Sequence, residues 1–157
     1  MIAFEKSVGA VVFRKKDNEI QYLLLDYGKT KKGSDHYWNF VKGHTEKGET
    51  EEETTRRETL EETGISDLQI IPGFSDKNRY VYRAFGEERE KRKKSGRKNI
   101  VAKQSIYFLA ETRLENIKLS DEHIDFSWLS FEEATSRLTY KNSKKTLEKA
   151  NRFLEKC

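Results

Sequence analysis

The chain has 157 residues, of which 34% are hydrophobic and 37% are charged, and its formal net charge is +4. This length suits one domain with a real core, and an aromatic content of 11% argues against disorder. A net charge of this size suits polyanionic ligands but does not by itself indicate a nucleic-acid-binding protein.

Cysteine usage and hydropathy exclude several classes. The single cysteine, Cys157, leaves neither a disulfide framework nor a cysteine metal site. The start, MIAFEKSVGAVVF, lacks a basic segment before a long apolar run, and no stretch approaches the ~18 apolar residues of a membrane helix. We therefore expect a soluble, cytoplasmic protein without a membrane partner, and no feature predicts an oligomeric state.

The first forty residues predict strands. Residues 7–13 form a β-branched run typical of a buried strand, and residues 20–26 read as its hairpin partner across a polar turn at 15–18. A loop rich in Lys and Gly is expected at 27–35. The aromatic segment 36–40 then predicts a short strand.

An acidic segment, GHTEKGETEEETTRRETLEETGI, occupies residues 43–65. A helix should begin near Thr50 and end at Gly64, a natural left-handed cap. Leu60 is its only large apolar residue, so its packed side is expected to consist of threonines, at positions 54, 55, 59 and 63.

The carboxylates of this helix are predicted to share a face. At 100° per residue, Glu58 and Glu62 lie about 40° apart and Glu61 about 60° to the other side of Glu58. Crowded like charges raise one another's pKa, and hard oxygen ligands select Mg²⁺ or Mn²⁺. Arg57 is placed to hold a carboxylate, with Glu49 as the expected partner. The alternative is a surface helix of i,i+4 salt links.

The middle of the chain is predicted to hold three strands and a basic loop. Strands are expected at 68–71 and 79–85, separated by a break at Pro72-Gly73, and at 100–110. Between Arg89 and Lys98 lie seven basic residues and one acid, with no apolar residue. We therefore predict that residues 86–98 form a mobile hairpin loop.

The end of the chain predicts a strand and two helices. A strand is expected at 126–129, and residues 130–133 resemble a capping box that opens a helix through Leu138. A last helix, capped by Asn142 or Ser143, carries an apolar stripe at positions 147, 150, 153 and 154 that is predicted to pack on the core. With no repeat or linker, residues 1–157 are expected to form a single domain of the α/β (α+β) class, with a mixed sheet flanked by helices.

The spacing within residues 43–65 resembles the box that defines the Nudix hydrolase family, Gly-x5-Glu-x7-Arg-Glu-U-x-Glu-Glu-x-Gly-U with U apolar. Its positions are filled by Gly43, Glu49, Arg57, Glu58, Glu61, Glu62, Gly64 and Ile65, and the one departure is Thr59. The resemblance implies a Nudix-type α/β/α sandwich with a mixed central sheet. It also implies Mg²⁺ or Mn²⁺ as cofactor.

Beyond the box, the chain resembles the asymmetrical diadenosine tetraphosphate hydrolases within that family. The shared segments are GAVVFR, YLLLDY, HYWNFVKGH, IYFLAE and LSDEHIDFSWLSFEEA. Val41 replaces a usual proline, and the basic segment 86–98 is longer than the group leads one to expect. The second departure leaves the exact substrate open.

The resemblance implies roles for residues around the box. Lys42 and His44 would face the phosphate chain, Gly43 would offer its carbonyl to a metal, Tyr80 would stack on adenine, and Glu122 would be an additional catalytic or metal-binding carboxylate. Tyr82 shares the strand face of Tyr80 and Lys103 lies on a neighbouring strand, so both are substrate-binding candidates. The alternatives are a solvated lysine, a turn histidine, a core tyrosine and a loop carboxylate, and His123 is expected to be structural.

The implied reaction is hydrolysis of a nucleoside polyphosphate by metal-activated water, with diadenosine tetraphosphate cleaved to ATP and AMP as the favoured case. Glu61 and Glu122 are both candidates for the general base, and Arg57 would orient. Alternative substrates are the 5′-triphosphate end of RNA, a diphosphoinositol polyphosphate, and a simple nucleoside triphosphate. A non-enzymatic nucleotide- or RNA-binding domain is a further alternative, although the full box argues against it.

Overall fold

The structure is a computed structural model that describes residues 2–29 and 36–157. Within this part of the chain, seven strands form one sheet: β1 Ile2–Lys16, β2 Glu19–Lys29, β3 His36–Asn39, β4 Val41–His44, β5 Gln69–Arg83, β6 Ile100–Glu111 and β7 Asp125–Leu129. The same residues form four helices: α1 Glu51–Thr63, α2 Gly86–Lys94, α3 Phe131–Arg137 and α4 Lys141–Glu155.

Strand β1 is the centre of the sheet. The strand order of the sheet is β3-β2-β1-β6-β5, with β4 paired to β1 and β7 paired to β2. β1 runs parallel to β6 and antiparallel to β2 and β4. It pairs with β2 through residues 13–16 and with β4 through residues 7–10, so the segment that precedes α1 lies directly beside β1.

Helices cover both faces of this mixed sheet, as predicted. One face packs against α3 and α4 through a cluster that includes Tyr107, Leu109, Leu138 and Leu147. The other face packs beneath α1 through a cluster that includes Val12, Leu25, Val41 and Ile65. Helices on both faces of a sheet bury each face and give the three-layer arrangement expected for the chain.

Several local predictions are confirmed. Thr50 caps α1 by accepting a hydrogen bond from the Glu53 amide, and Gly64 ends it with a φ of 77°. The helix buries its four threonines, at positions 54, 55, 59 and 63. The capping box at Ser130 is present, and the apolar stripe of α4 packs on the core. These features depend on sequence neighbours, which explains why the sequence predicts them.

Three strand and cap predictions are wrong in detail. Residues 69–83 form one strand, because Pro72-Gly73 is accommodated as an irregularity in the pairing with β6. The predicted loop at 27–35 begins later, since β2 extends to Lys29, and residues 30–35 lie outside the described residues. Neither Asn142 nor Ser143 caps α4, which begins after Tyr140.

The predicted mobile loop at 86–98 is also wrong, because residues 86–94 form helix α2. Its first turn carries Glu87 and Glu88 and its last turn carries four basic residues, so its charges complement the helix dipole. Arg92 is buried against the body of the protein. A segment that reads as purely solvated in the sequence therefore folds onto the sheet through one side chain.

Across the described residues, we find no helix with both the length and the apolar character that crossing a membrane requires.

Candidate active site

Helix α1 carries the acidic side chains of the site on one face, and their exposure differs sharply. The side chain of Glu62 is 5% exposed, that of Glu58 is 16% exposed and that of Glu61 is 58% exposed. The threonine side of the helix packs on the sheet, which directs this carboxylate face toward the end of β4. The predicted grouping of three carboxylates on one face is therefore present, graded from a buried to a solvent-facing group.

Arg57 organises this acidic face. It binds both oxygens of Glu49, with Nε–Oε2 at 2.6 Å and Nη2–Oε1 at 3.0 Å. Its Nη1 also donates to Glu58 at 3.0 Å and to Glu61 at 3.2 Å, and its Nη2 donates to the carbonyl of His44 at 2.9 Å. The hydrogen bond from Arg57, and then the one from the Glu46 amide, lowers the pKa of Glu49 to about 2. The Arg57 guanidinium thus joins the loop that contains Glu49 to the carboxylates of helix α1.

Gly43 lies against the carboxylate of Glu58. A Cβ atom at position 43 would lie 1.9 Å from the Glu58 Cδ and 2.2 Å from its Oε1. Because any side chain would displace this carboxylate, only glycine allows strand β4 and helix α1 to approach this closely. The contact also brings the Gly43 backbone beside Glu58, as a shared metal site would require.

Replacing Gly43 with alanine should therefore displace Glu58. We expect turnover to fall by about a hundredfold and the free energy of unfolding to fall by about 1–3 kcal/mol, the range for overpacking a tight contact. Steady-state kinetics and chemical denaturation would measure the two effects. Gly48→Ala is the control, because a Cβ at position 48 meets nothing within 4 Å, although its φ of 86° carries a strain of its own. Wild-type turnover in Gly43→Ala would contradict this reading of the contact.

Glu62 meets Glu122 and His123 at the buried end of the face. The connection after β6 returns to α1, where the amide of Lys118 donates to the carbonyl of Thr63 and that of Ser120 to the carbonyl of Glu62. This places ligand atoms of Glu62, Glu122 and His123 within 4.8 Å of one another. The His123 Nε2 lies 3.1 Å from the Glu62 Oε1 without hydrogen-bond geometry.

The electrostatics of these carboxylates favour a bound cation. Burial is the main cause of a raised pKa for Glu62, with the charge of Glu122 adding to it, while His123 and a backbone hydrogen bond from Lys42 oppose it. Burial also raises the pKa of Glu58, and the charges of Glu62 and Glu61 contribute. The buried Glu62 Oε2 has no hydrogen-bond partner among the described residues. An orphaned buried oxygen among crowded carboxylates is the chemistry that a hard divalent cation satisfies.

Two lysines lie beyond the carboxylates. Lys42, on β4, has its pKa lowered to about 8, mainly by burial and then by the positive charge of Lys103, while the charge of Glu62 opposes the shift. Lys42 is thus electrostatically coupled both to the acidic face and to Lys103. His44 is exposed, and its Nδ1 lies 3.0 Å from the carbonyl of Lys6. The two lysines provide positive charge suited to a phosphate chain next to the acidic helix.

Tyr80 and Tyr82 form a stacked pair on the same face of the sheet. Tyr80 lies opposite Lys103 in the pairing of β5 with β6. The two tyrosine rings are 6.0 Å apart with planes inclined by 30°, and Tyr80 is 41% exposed. An exposed ring beside a lysine is available for stacking and differs from a core tyrosine, which was the alternative prediction for Tyr80.

Further aromatic residues, which were not among the predicted site residues, extend this region. The ring of Tyr37 stacks on that of Tyr27, with their centroids 5.0 Å apart. Its centroid lies 5.9 Å from that of Tyr140, at the start of α4. Tyr27 in turn makes an edge contact with His123 at 4.6 Å. The aromatic segment around Tyr37 is visible in the sequence, but its contact with Tyr140 depends on long-range packing that no local pattern reveals.

The fold and this acidic helix together define a Nudix protein. Residues 3–150 match the family described as NUDIX domain, so the chain belongs to the Nudix family and its predicted membership is confirmed. Nudix hydrolases use divalent metal ions, and the chain brings together the acidic and histidine groups described above.

Individual members of the family are similar to this chain along most of its length. The chain is 38% identical to an asymmetrical bis(5′-nucleosyl)-tetraphosphatase from Mus musculus, with 95% of each chain covered. It is 27% identical to a dihydroneopterin triphosphate diphosphatase from Haemophilus influenzae, over 92% of this chain and 85% of the relative. Among solved structures, it is similar to a binary complex of the C. elegans Ap4A hydrolase, with a TM-score of 0.76, 28% identity and coverage of 98% and 99%.

Proposed function

We propose that this protein is an asymmetrical bis(5′-nucleosyl)-tetraphosphatase, which hydrolyses diadenosine tetraphosphate to ATP and AMP. The observation that carries the proposal is the order of groups across the sheet. The carboxylates of α1 come first, Lys42 and Lys103 follow, and the stacked tyrosines Tyr80 and Tyr82 lie beyond them. A nucleoside polyphosphate presents metal-binding phosphates and a stacking base in the same order. The high identity to bis(5′-nucleosyl)-tetraphosphatases along nearly the whole chain supports the same substrate.

The metal-binding residues in this proposal are Glu58, Glu62 and the carbonyl of Gly43, with Glu61 beside them. A bound Mg²⁺ or Mn²⁺ would supply charge stabilisation to the phosphate oxygens and would activate water. The chain itself positions these ligands, since Arg57 fixes Glu58 and Glu61 relative to the loop that contains Glu49. The orphaned Glu62 Oε2 and the raised pKa of the two buried carboxylates support this assignment.

Proton transfer and substrate binding fall to other side chains. Two carboxylates are candidates to accept the proton of the attacking water. Glu61 lies on α1, and Glu122 lies in the connection after β6. Lys42 and Lys103 would neutralise the phosphate chain, and His44 would face it. This arrangement requires no nucleophilic side chain and no covalent intermediate.

A substrate panel tests the proposal. Diadenosine tetraphosphate, ATP, 5′-triphosphorylated RNA and a diphosphoinositol polyphosphate would be incubated with Mg²⁺ or Mn²⁺ at low and moderate salt, and the products separated by anion exchange. We expect diadenosine tetraphosphate to give the highest kcat/KM. A preference for RNA that weakens strongly with salt would instead identify a backbone-binding enzyme and overturn the proposal.

Tyr80→Ala tests the stacking role. Loss of the ring should raise KM for diadenosine tetraphosphate by about tenfold with little change in kcat, since stacking on an aromatic ring contributes about 1–3 kcal/mol per base. Tyr80→Phe keeps the ring and should retain a KM near that of the wild type. An unchanged KM in Tyr80→Ala would remove this tyrosine from the binding site.

A further inference from the structure

Arg92 is buried although it belongs to a helix whose other cations face solvent. It is 3% exposed, whereas the remaining basic residues of α2 lie at the surface. Its Nε donates to the Glu88 Oε1 at 3.1 Å, its Nη1 contacts the carbonyl of Lys98 at 3.4 Å, and its Nη2 pairs with Glu5 of strand β1. A buried guanidinium needs such partners, and here they join the inserted helix to the centre of the sheet.

Both carboxylates that Arg92 contacts also lie beside residues proposed to bind substrate. Glu88 accepts a hydrogen bond from the Tyr82 hydroxyl at 2.8 Å through the same oxygen that faces Arg92. Glu5 lies opposite Lys103 in the parallel pairing of β1 with β6, and Lys103 in turn lies opposite Tyr80. Glu88 therefore connects Arg92 to the stacked tyrosines, and Glu5 connects it to Lys103, one of the two lysines proposed to bind phosphate.

The charges along this path alternate. Glu88, Arg92, Glu5 and Lys103 follow one another as acid, base, acid and base. Burial alone would raise the pKa of Glu5, but its hydrogen bond to Arg92 and the charges of Arg92, Lys103 and His44 hold that pKa below its usual value. An alternating chain of ionised groups has a preferred geometry, because displacing one member leaves its neighbours without a counter-charge.

We propose that Arg92 is a positioning residue through which helix α2 sets the affinity of the site for the nucleobase end of its substrate. Through Glu88 it fixes the ring of Tyr82, against which Tyr80 stacks. Through Glu5 it holds the cross-strand neighbours Lys103, on β6, and Tyr80, on β5. The inference rests on the proposed function, since it gives α2 a role in binding a nucleotide.

Binding without turnover tests this role. The affinities of AMP, which carries a base, and of tripolyphosphate, which does not, would be measured by calorimetry in the presence of a chelator. Arg92→Met should weaken AMP binding by about tenfold, because the ring of Tyr82 loses its fixed position for stacking. Tripolyphosphate binding should change by a smaller factor, since that ligand senses only the effect on Lys103 through Glu5. In steady-state assays, KM should rise and kcat should stay near that of the wild type. Arg92→Lys, which keeps the charge without the forked donor, should recover part of the AMP affinity.

Arg89→Met is the matched control, because it makes the same chemical change on the exposed side of the same helix. It should leave AMP affinity unchanged. Tyr82→Phe keeps the ring and removes only the hydroxyl that Glu88 holds, so it should weaken AMP binding even if Arg92→Met proves unstable.

Two results would overturn the inference: a folded Arg92→Met whose AMP affinity is within twofold of the wild type, or an equal loss in Arg89→Met. If Arg92→Met does not fold, an AMP affinity within twofold of the wild type in Tyr82→Phe overturns the inference instead. A wild-type protein that binds tripolyphosphate but not AMP would instead contradict the proposed function, so the two failures are distinguishable.

Discussion

Glu62→Gln should reduce turnover by at least about a hundredfold while the fold is retained. Glutamine has the shape of glutamate but lacks its charge. It therefore cannot replace a carboxylate whose side chain is 5% exposed and one of whose oxygens has no hydrogen-bond partner among the described residues. Glu62 is a metal ligand in the proposed site. Losing one ligand of a divalent cation would remove several kcal/mol of charge stabilisation in the transition state, which corresponds to two or more orders of magnitude in rate. Glu53→Gln, an exposed change in the first turn of the same helix, should leave kcat/KM near that of the wild type.

The same variant has a predicted stability signature. Because the pKa of Glu62 is raised in the folded protein, the folded state binds its proton more tightly than the unfolded state does. Stability from this group is therefore fully present below the unfolded pKa and is lost as pH rises through the folded pKa. In chelator at neutral pH, Glu62→Gln should then unfold at a temperature equal to or above that of the wild type. Added Mg²⁺ should stabilise the wild type more than the variant. Equal metal-induced stabilisation, or wild-type turnover, would contradict the assignment of Glu62 as a ligand.

Arg57→Lys should lower turnover by about 10–100-fold, the range found when groups that orient metal ligands are removed. Arginine reaches Glu49, Glu58, Glu61 and the His44 carbonyl at once. Lysine carries the same charge on a single ammonium group and can keep only part of this set. The free energy of unfolding should fall by about 1–3 kcal/mol, since partly buried acceptors lose their donor.

Arg56→Lys is the matched control for that substitution. Arg56 is the preceding residue of α1, and it contacts the Leu68 carbonyl and Glu52, away from the acidic face. Its turnover should remain within about twofold of the wild type, because surface ion pairs contribute little. Metal titrations followed by thermal unfolding would compare the two variants. An Arg57→Lys protein with wild-type metal affinity and turnover would mean that Arg57 does not organise the site.

The sequence predicts most of the acidic face because its geometry is local. Helical periodicity alone places Glu58, Glu61 and Glu62 on one side, and the structure adds the gradient of burial that distinguishes them. The exclusive fit of glycine at position 43 is not local, because it arises from the approach of β4 to α1.

The features that the sequence does not predict depend on distant pairing. The sequence predicts a mobile loop in place of helix α2, because the composition of this segment is almost entirely charged. One of the two carboxylates that hold the buried Arg92 is Glu5, far away in the chain. Tyr140 is in contact with Tyr37 because the residue before it, Thr139, is hydrogen-bonded to Trp38 of β3. The meeting of Glu122 with Glu62 was predicted only through family resemblance, since it requires the connection after β6 to return to the end of α1.

Product analysis with diadenosine tetraphosphate tests the central claim most directly. Purified protein with Mg²⁺ would be sampled during the first tenth of the reaction, and the nucleotides separated by anion exchange. The similarity to asymmetrical bis(5′-nucleosyl)-tetraphosphatases predicts that ATP and AMP appear together in equal amounts, and the acidic face of α1 predicts that Glu62→Gln forms neither at a comparable rate. ADP as the main product, or no cleavage of this substrate while simple nucleoside triphosphates are hydrolysed, would contradict it.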